Sequence, residues 1–140
     1  MNKHITLSII KPDAMHSKLS GKIITLIEEK GFEILAQKKI KLSKSQAEEF
    51  YAVHKEKPFF NELVSFMISG PILVQVLQAE NAINLYRDIM GSTNPEEAEV
   101  DTIRRKFGKN IQCNAVHGSD SLENAKIEIS FFFSTLDLIN

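Results

Sequence analysis

The run Ile5-Thr6-Leu7-Ser8-Ile9-Ile10 alternates at first and then turns wholly apolar, the pattern of a strand buried at the centre of a sheet. Lys11-Pro12-Asp13 ends it, because proline cannot continue a hydrogen-bonded ladder and biases the residue before it toward an extended backbone. Lys11 is therefore projected from a strand end, where a lysine either pairs a phosphate or only marks the exit. A second run, Ile72-Leu73-Val74-Gln75-Val76-Leu77, has the highest β-branched content in the chain and follows the turn signal Gly70-Pro71. Whatever the fold, it has to pair such strands.

Helical spacing fills the gaps between them. Ile23, Ile24 and Ile27 predict a helix over 20–30, with Gly31 at its C-terminal cap. Residues 33–41 read as an amphipathic strand with lysines on the exposed side. Ser43 or Ser45 starts the next helix, Ser45 being followed three residues later by Glu48, and Phe50, Tyr51 and Val53 close it near His54. The stretch His54 to Phe60 breaks it and begins another, in which Leu63, Val64, Met67 and Ile68 line up. Of Phe59 and Phe60, which cannot both face one core direction, one is free to stack on a ring unless both are buried or packed on a neighbouring subunit. Asn81 caps a helix carrying Ala82 to Met90 and ended by Gly91. The polar stretch of about two dozen residues from Ser92 to Asn114 holds a turn at 93–95 and a short helical piece at 102–105; irregular regions of this length are usually functional or interfacial. Ala115-Val116 is a short last strand, and a helix follows from Leu122 to Phe133, burying Leu122, Ala125, Ile129 and Phe132 or Phe133. The order predicts an α+β, ferredoxin-like sandwich: a four-stranded antiparallel sheet covered by helices. A doubly wound parallel sheet is the alternative.

With 140 residues and no linker or repeat, the expectation is a single domain spanning 1–140. Hydrophobic content of 43%, charged content of 25% and a mean hydropathy of −0.13 are those of a globular protein in water. No apolar run approaches the roughly 18 residues that cross a bilayer, and Met1-Asn2-Lys3-His4 has no signal-peptide organisation, so a cytoplasmic location and no membrane partner are expected. The single cysteine, Cys113, rules out an internal disulfide and a cysteine-based zinc site. A net charge of −1 argues against a stable nucleic-acid partner, which needs a cationic surplus.

The chemistry concentrates at His117-Gly118-Ser119-Asp120-Ser121. Asp120 with Glu123 three residues on matches a capping box, and a helix N-terminus beside a strand-end histidine suits anions. A histidine in that position is either catalytic or a plain loop residue. The phosphate-loop and dinucleotide fingerprints are absent, as are the zincin pattern and the hydrolase nucleophile elbow. A phosphate-compatible set remains: Lys11, Arg87, Thr93, Arg104, Asn114 and His117.

Taken in order, Ile9-Ile10-Lys11-Pro12-Asp13-Ala14, Lys57-Pro58-Phe59-Phe60, Ser69-Gly70-Pro71, Gly91-Ser92-Thr93-Asn94-Pro95, Thr102-Ile103-Arg104 and Asn114 through Ser121 resemble nucleoside diphosphate kinases over essentially the whole chain. The resemblance implies a ping-pong transfer of the terminal phosphoryl group of a nucleoside triphosphate to a nucleoside diphosphate through a phosphohistidine at His117. An imidazole with the ordinary pKa of about 6.5 needs no activating base for this. By the same resemblance Glu128, two helical turns after Ser121, holds the other ring nitrogen, and Ser119 lies close to that pair. Lys11, Arg87, Thr93 and Arg104 match the phosphate-binding positions, Tyr51 the tyrosine near the transferred group, and Asn114 the residue at sugar hydroxyl and phosphate. Phe59 matches the aromatic that stacks on the base, with Leu63 beside it in the nucleotide site. Stacking is blind to base identity. Mg2+ is expected to ride on the nucleotide phosphates with no direct protein ligand, and a homo-oligomer, a tetramer or hexamer built from dimers, is implied.

One position departs from the family pattern: Asp101 stands where glycine is common. If that backbone needs positive φ, aspartate is strained there. The readings in other classes are a non-catalytic nucleotide-binding regulator, a nucleic-acid-binding ferredoxin-like domain, and a phosphocarrier relaying to protein partners. The regulator needs no imidazole, and the phosphocarrier needs no stacking aromatic.

Overall fold

Four strands, β1 (Lys3–Ile10), β2 (Glu33–Ile40), β3 (Ile72–Glu80) and β4 (Val116–Gly118), pair antiparallel in the spatial order β2-β3-β1-β4 in the computed structural model, which describes residues 3–139. Among the described residues seven α-helices surround them: α1 (Pro12–His16), α2 (Ser20–Glu29), α3 (Lys44–Phe50), α4 (Phe60–Met67), α5 (Ala82–Met90), α6 (Ile103–Phe107) and α7 (Leu122–Phe132). This is the expected ferredoxin-like α+β sandwich, and the parallel alternative is excluded by the register. The leader reading at Met1 and Asn2 falls outside the described residues. Among those that are described, no helix is long and apolar enough to cross a membrane.

The two apolar runs are continuous because their strands are covered on both faces. Leu7, Ile9, Ile72, Val74 and Val76 pack on one side with Val64, Met67, Ala125, Ile129 and Phe132; Ile10, Leu73 and Leu77 pack on the other with Ile23, Ile27, Ala82, Tyr86 and Ile89. Buried Ser8 and Gln75 interrupt the second face, and each is satisfied: the Ser8 hydroxyl meets Gln75 Oε1 at 3.0 Å and Tyr86 Oη at 2.8 Å. β4 is a three-residue edge strand held only by β1, with Ile9 opposite His117.

Local expectations shift at several points. Pro12 does more than stop β1: at the first position of α1 its missing N–H costs nothing, so a five-residue helix starts there that was too short to show a period. Ser43, not Ser45, caps α3, in a reciprocal box with Gln46. Asn81 caps α5 through a left-handed backbone (φ 53°), its side chain accepting from Asn84 rather than from a first-turn amide. Ser121, not Asp120, caps α7 by accepting from the Asn124 N–H at 3.0 Å; Asp120 accepts from the Asn124 side chain, so the Asp120–Glu123 box does not form. Leu122, in the first turn of α7, is 45% exposed rather than buried. His117 lies inside β4, not in a loop after it. Asp101 is not among the residues with positive φ, which removes the strain considered for it.

Candidate active site

Strand pairing fixes His117 from below and α7 holds it from the side. Gly118, its neighbour, sits opposite Ser8, and a Cβ there would stand 2.7 Å from both Met90 Cε and Tyr86 Cδ2; only glycine lets β4 lie this close to α5. The imidazole Nε2 is 3.1 Å from Glu128 Oε1. The same carboxylate oxygen accepts from Ser119 Oγ at 2.7 Å, and that hydroxyl in turn accepts the Leu7 N–H at 3.1 Å. Glu128 is thus anchored through Ser119 to the central strand, and a carboxylate that α7 leaves half-buried among apolar neighbours has its partners. No hydrogen bond engages the other ring nitrogen, Nδ1, among the described residues. The Phe50 ring stands edge-on to the imidazole at 5.9 Å. Tyr51, next in sequence and 7% exposed, is kept neutral: burial first, and then the Glu128 charge, push its hydroxyl up.

A second set of bonds runs from the end of β1. Lys11 Nζ donates to Asn114 Oδ1 at 2.9 Å, and Asn114 Nδ2 donates to the Thr93 carbonyl at 3.1 Å. Burial, reinforced by the nearby Arg104 charge and opposed by Asp13 and Cys113, lowers the Lys11 ammonium to a pKa of about 8. Arg104, 9% exposed, spans the loop: its Nη1 donates to the Gly91 carbonyl at 3.0 Å and its Nη2 to the Val116 carbonyl at 2.9 Å, while Nε has no partner. Burial pushes this guanidinium below its ordinary range, with Arg87 adding to the shift and Tyr86 opposing it.

Between Asn114 and Val116 the chain turns sharply. Ala115 has φ 74°, and the Val116 N–H donates to the Asn114 carbonyl at 2.9 Å, which closes a three-residue γ-turn of the rarer positive-φ form. Holding a non-glycine residue there costs about 1–3 kcal/mol. The turn sends Asn114 toward Lys11 and His117 toward Glu128.

The remaining predicted residues form a looser rim. Arg87 and Thr93 are exposed, and with Arg104 they line a cleft of about 510 Å³. Phe60 is buried and Phe59 is 47% exposed, its ring tilted against His54 at 5.5 Å; Leu63, one turn along α4, is half-buried. No hydrogen bond or ring contact links Phe59 or Leu63 to His117 among the described residues.

These features occur in a chain whose residues 4–138 match the family model for nucleoside diphosphate kinase. A nucleoside diphosphate kinase of Persephonella marina is 55% identical over 139 residues, 99% of each chain. The chain belongs to the nucleoside diphosphate kinase family. The solved nucleoside diphosphate kinase of Aquifex aeolicus superposes with a TM-score of 0.97 at 45% identity, covering 99% of this chain and 100% of that one. The Halobacterium salinarum member, solved in complex with CDP, superposes at 0.94 with 35% identity and covers 99% and 93%. The chain is a phosphotransferase acting between nucleotides.

Two residues of the site escaped sequence reasoning. Phe50 reads as one more apolar position closing α3, yet its ring touches Tyr51, Phe131, Phe132 and the imidazole. Ala115 carries no signal for a positive φ, since the type that usually marks one is glycine. Lys11, Arg87 and Arg104 contribute nitrogen donors of a kind that suits phosphate oxygens, and the cleft that Arg87 and Arg104 line also carries the carboxylates Asp88, Glu97 and Glu99.

Proposed function

We propose that His117 is the nucleophile of a ping-pong phosphoryl transfer from a nucleoside triphosphate to a nucleoside diphosphate. The observation that carries this is the division of labour on the imidazole: Nε2 is taken by Glu128, and Nδ1 has no hydrogen-bond partner among the described residues. A carboxylate only accepts, so Nε2 carries the proton and donates it, which leaves the Nδ1 lone pair for attack on the terminal phosphorus. As the N–P bond forms and the bond to the bridging oxygen breaks, the ring becomes cationic and Glu128 stabilises it, with Ser119 holding the carboxylate in place. The diphosphate leaves, and a second diphosphate reverses the step by taking the phosphoryl from Nδ1.

Lys11 and Arg104 supply fixed positive charge toward oxygens whose charge grows in the transition state, and Arg87 and Thr93 add contacts from the cleft rim. Asn114, already bonded to Lys11, offers its amide to the sugar hydroxyl and phosphate, and buried, neutral Tyr51 stands near the transferred group. Exposed Phe59 stacks on the base, with Leu63 also in the nucleotide site, which gives a broad base range. Mg2+ would arrive on the nucleotide phosphates and neutralise part of their charge, with Lys11 and Arg104 binding the same phosphate group. Residues 1–140 act as one catalytic domain in the cytoplasm, in a homo-oligomer of dimers, tetrameric or hexameric.

Incubation with γ-labelled ATP should give an acid-labile phosphoenzyme that GDP discharges, and His117→Ala should abolish labelling and turnover. Label that GDP cannot remove, or full activity in His117→Ala, would contradict the assignment.

A further inference from the structure

In the Lys11-Pro12-Asp13 unit, the transfer reaction assigns no part to the Asp13 carboxylate. Pro12 holds Lys11 extended (φ −76°, ψ 164°) and starts α1, so Asp13 is set in the first turn of that helix, facing the Ala115 turn. Three bonds then join two residues of one segment, Lys11 and Asp13, to two of the other, Asn114 and Ala115. The Lys11 N–H donates to the Ala115 carbonyl at 2.8 Å, Lys11 Nζ donates to Asn114 Oδ1 at 2.9 Å, and the Ala115 N–H donates to Asp13 Oδ2 at 3.1 Å. Ala115 is fully buried, and at φ 74° it is in a conformation that alanine leaves unless something holds it. Both of its peptide groups are held from the β1–α1 junction: the carbonyl by backbone that any sequence would offer, the N–H by the Asp13 side chain alone. Asn114 precedes this residue and His117 follows two positions later.

We propose that Asp13 is a positioning residue for phosphoryl transfer, its carboxylate locking the Ala115 turn and thereby setting Asn114 against Lys11 and His117 against Glu128. The proposal rests on the reading of His117 given above. Without the carboxylate the buried Ala115 N–H has no acceptor, and alanine relaxes toward negative φ. The turn then opens, and the imidazole and the Asn114 amide move together. Displacement of a reacting group by about 1 Å lowers a rate by as much as about 10²-fold. A glycine at 115 populates positive φ as readily as negative φ, so it should need the lock less.

The test is the rate of His117 phosphorylation by ATP, followed by rapid mixing in five proteins: wild type, Asp13→Asn, Asp13→Ala, Ala115→Gly and Ala115→Gly/Asp13→Ala, each Asp13 variant against its own wild-type or Ala115→Gly parent. Asp13→Asn keeps an acceptor oxygen and should stay within about threefold of wild type, because the hydrogen-bond geometry can be reproduced. Asp13→Ala should lose about tenfold to 10²-fold in the saturating rate, with the ATP concentration at half-saturation little changed and Ala115 amide exchange accelerated. Its loss should shrink severalfold in the Ala115→Gly background. Equal losses in both backgrounds, or a wild-type rate in Asp13→Ala, would overturn the proposal. If Asp13→Ala does not fold, the glycine-background pair decides in the same way: near-equal rates support the lock and a 10²-fold gap refutes it. Failure of the wild type to label His117 would sink the mechanism itself, an outcome distinct from any of these.

Discussion

The floor and the rim of the site are built on different principles. On the floor the side chains are held by one another or by the backbone: Glu128 Oε1 accepts from both His117 and Ser119, Lys11 is bonded to Asn114, and Arg104 grips two backbone carbonyls. On the rim, Arg87, Thr93 and Phe59 are exposed, and Phe59 touches only His54 among the aromatic rings. The contrast separates two demands. Moving a phosphoryl group requires dipoles and charges that do not reorganise during reaction, which bonded, buried side chains provide. Accepting many bases requires a surface that grips without reading edges, which an exposed phenylalanine provides. Substitutions on the floor should therefore reduce the rate of the chemical step, and those on the rim should weaken binding.

The largest break should come at Glu128. Glu128→Ala leaves Nε2 and the Ser119 hydroxyl without their acceptor, frees the ring to rotate and removes the charge that stabilises the imidazolium. A fall of about 10²-fold or more in kcat, with KM nearly unchanged, is expected in steady-state assays. Equal changes in kcat and KM would place Glu128 on the binding side instead.

A smaller effect should follow pH. The Lys11 pKa of about 8 means that the free enzyme loses this charge as pH rises through 8, so kcat/KM should fall there, approaching about tenfold per pH unit. The sign separates this from unfolding. A base whose folded pKa is lowered binds fewer protons than in the unfolded chain between about 8 and 10.5, so its contribution makes the fold more stable with rising pH in that window. Activity should decline while Tm does not decline with it, and Lys11→Met should abolish the limb.

On the rim, Phe59→Ala should raise KM about tenfold for ADP, GDP and CDP alike, in line with the roughly 1–3 kcal/mol of a base–aromatic stack. Its kcat and Tm should scarcely move, since the ring is 47% exposed. A KM change confined to one base would mean that the rim reads edges after all.

How much of this was legible in the chain follows the same division. The sheet was readable because Ile9-Ile10 and Ile72 to Leu77 are buried on both faces, and uninterrupted apolar runs announce that. His117 and Lys11 stood out as candidates because each is a polar group at a strand end, but position alone left each with a plain structural alternative. Glu128 entered only through the resemblance of the surrounding motifs to the family. The rest was hidden for physical reasons. α1 is five residues long and cannot display a helical period. Competing small polar residues stand at both caps, and the choices of Ser43 over Ser45 and Ser121 over Asp120 depend on backbone angles that composition does not carry. The Ala115 turn is imposed by tertiary hydrogen bonds from Lys11 and Asp13, so nothing within the residue itself announces it.

The most direct test of a preorganised floor is the identity of the phosphorylated nitrogen. Phosphoenzyme prepared with ATP, kept at alkaline pH and examined by ³¹P and ¹H–¹⁵N NMR, should carry its phosphoryl on Nδ1 of His117, with Nε2 still protonated and bonded to Glu128. Phosphate on Nε2, or on any residue other than His117, would contradict it.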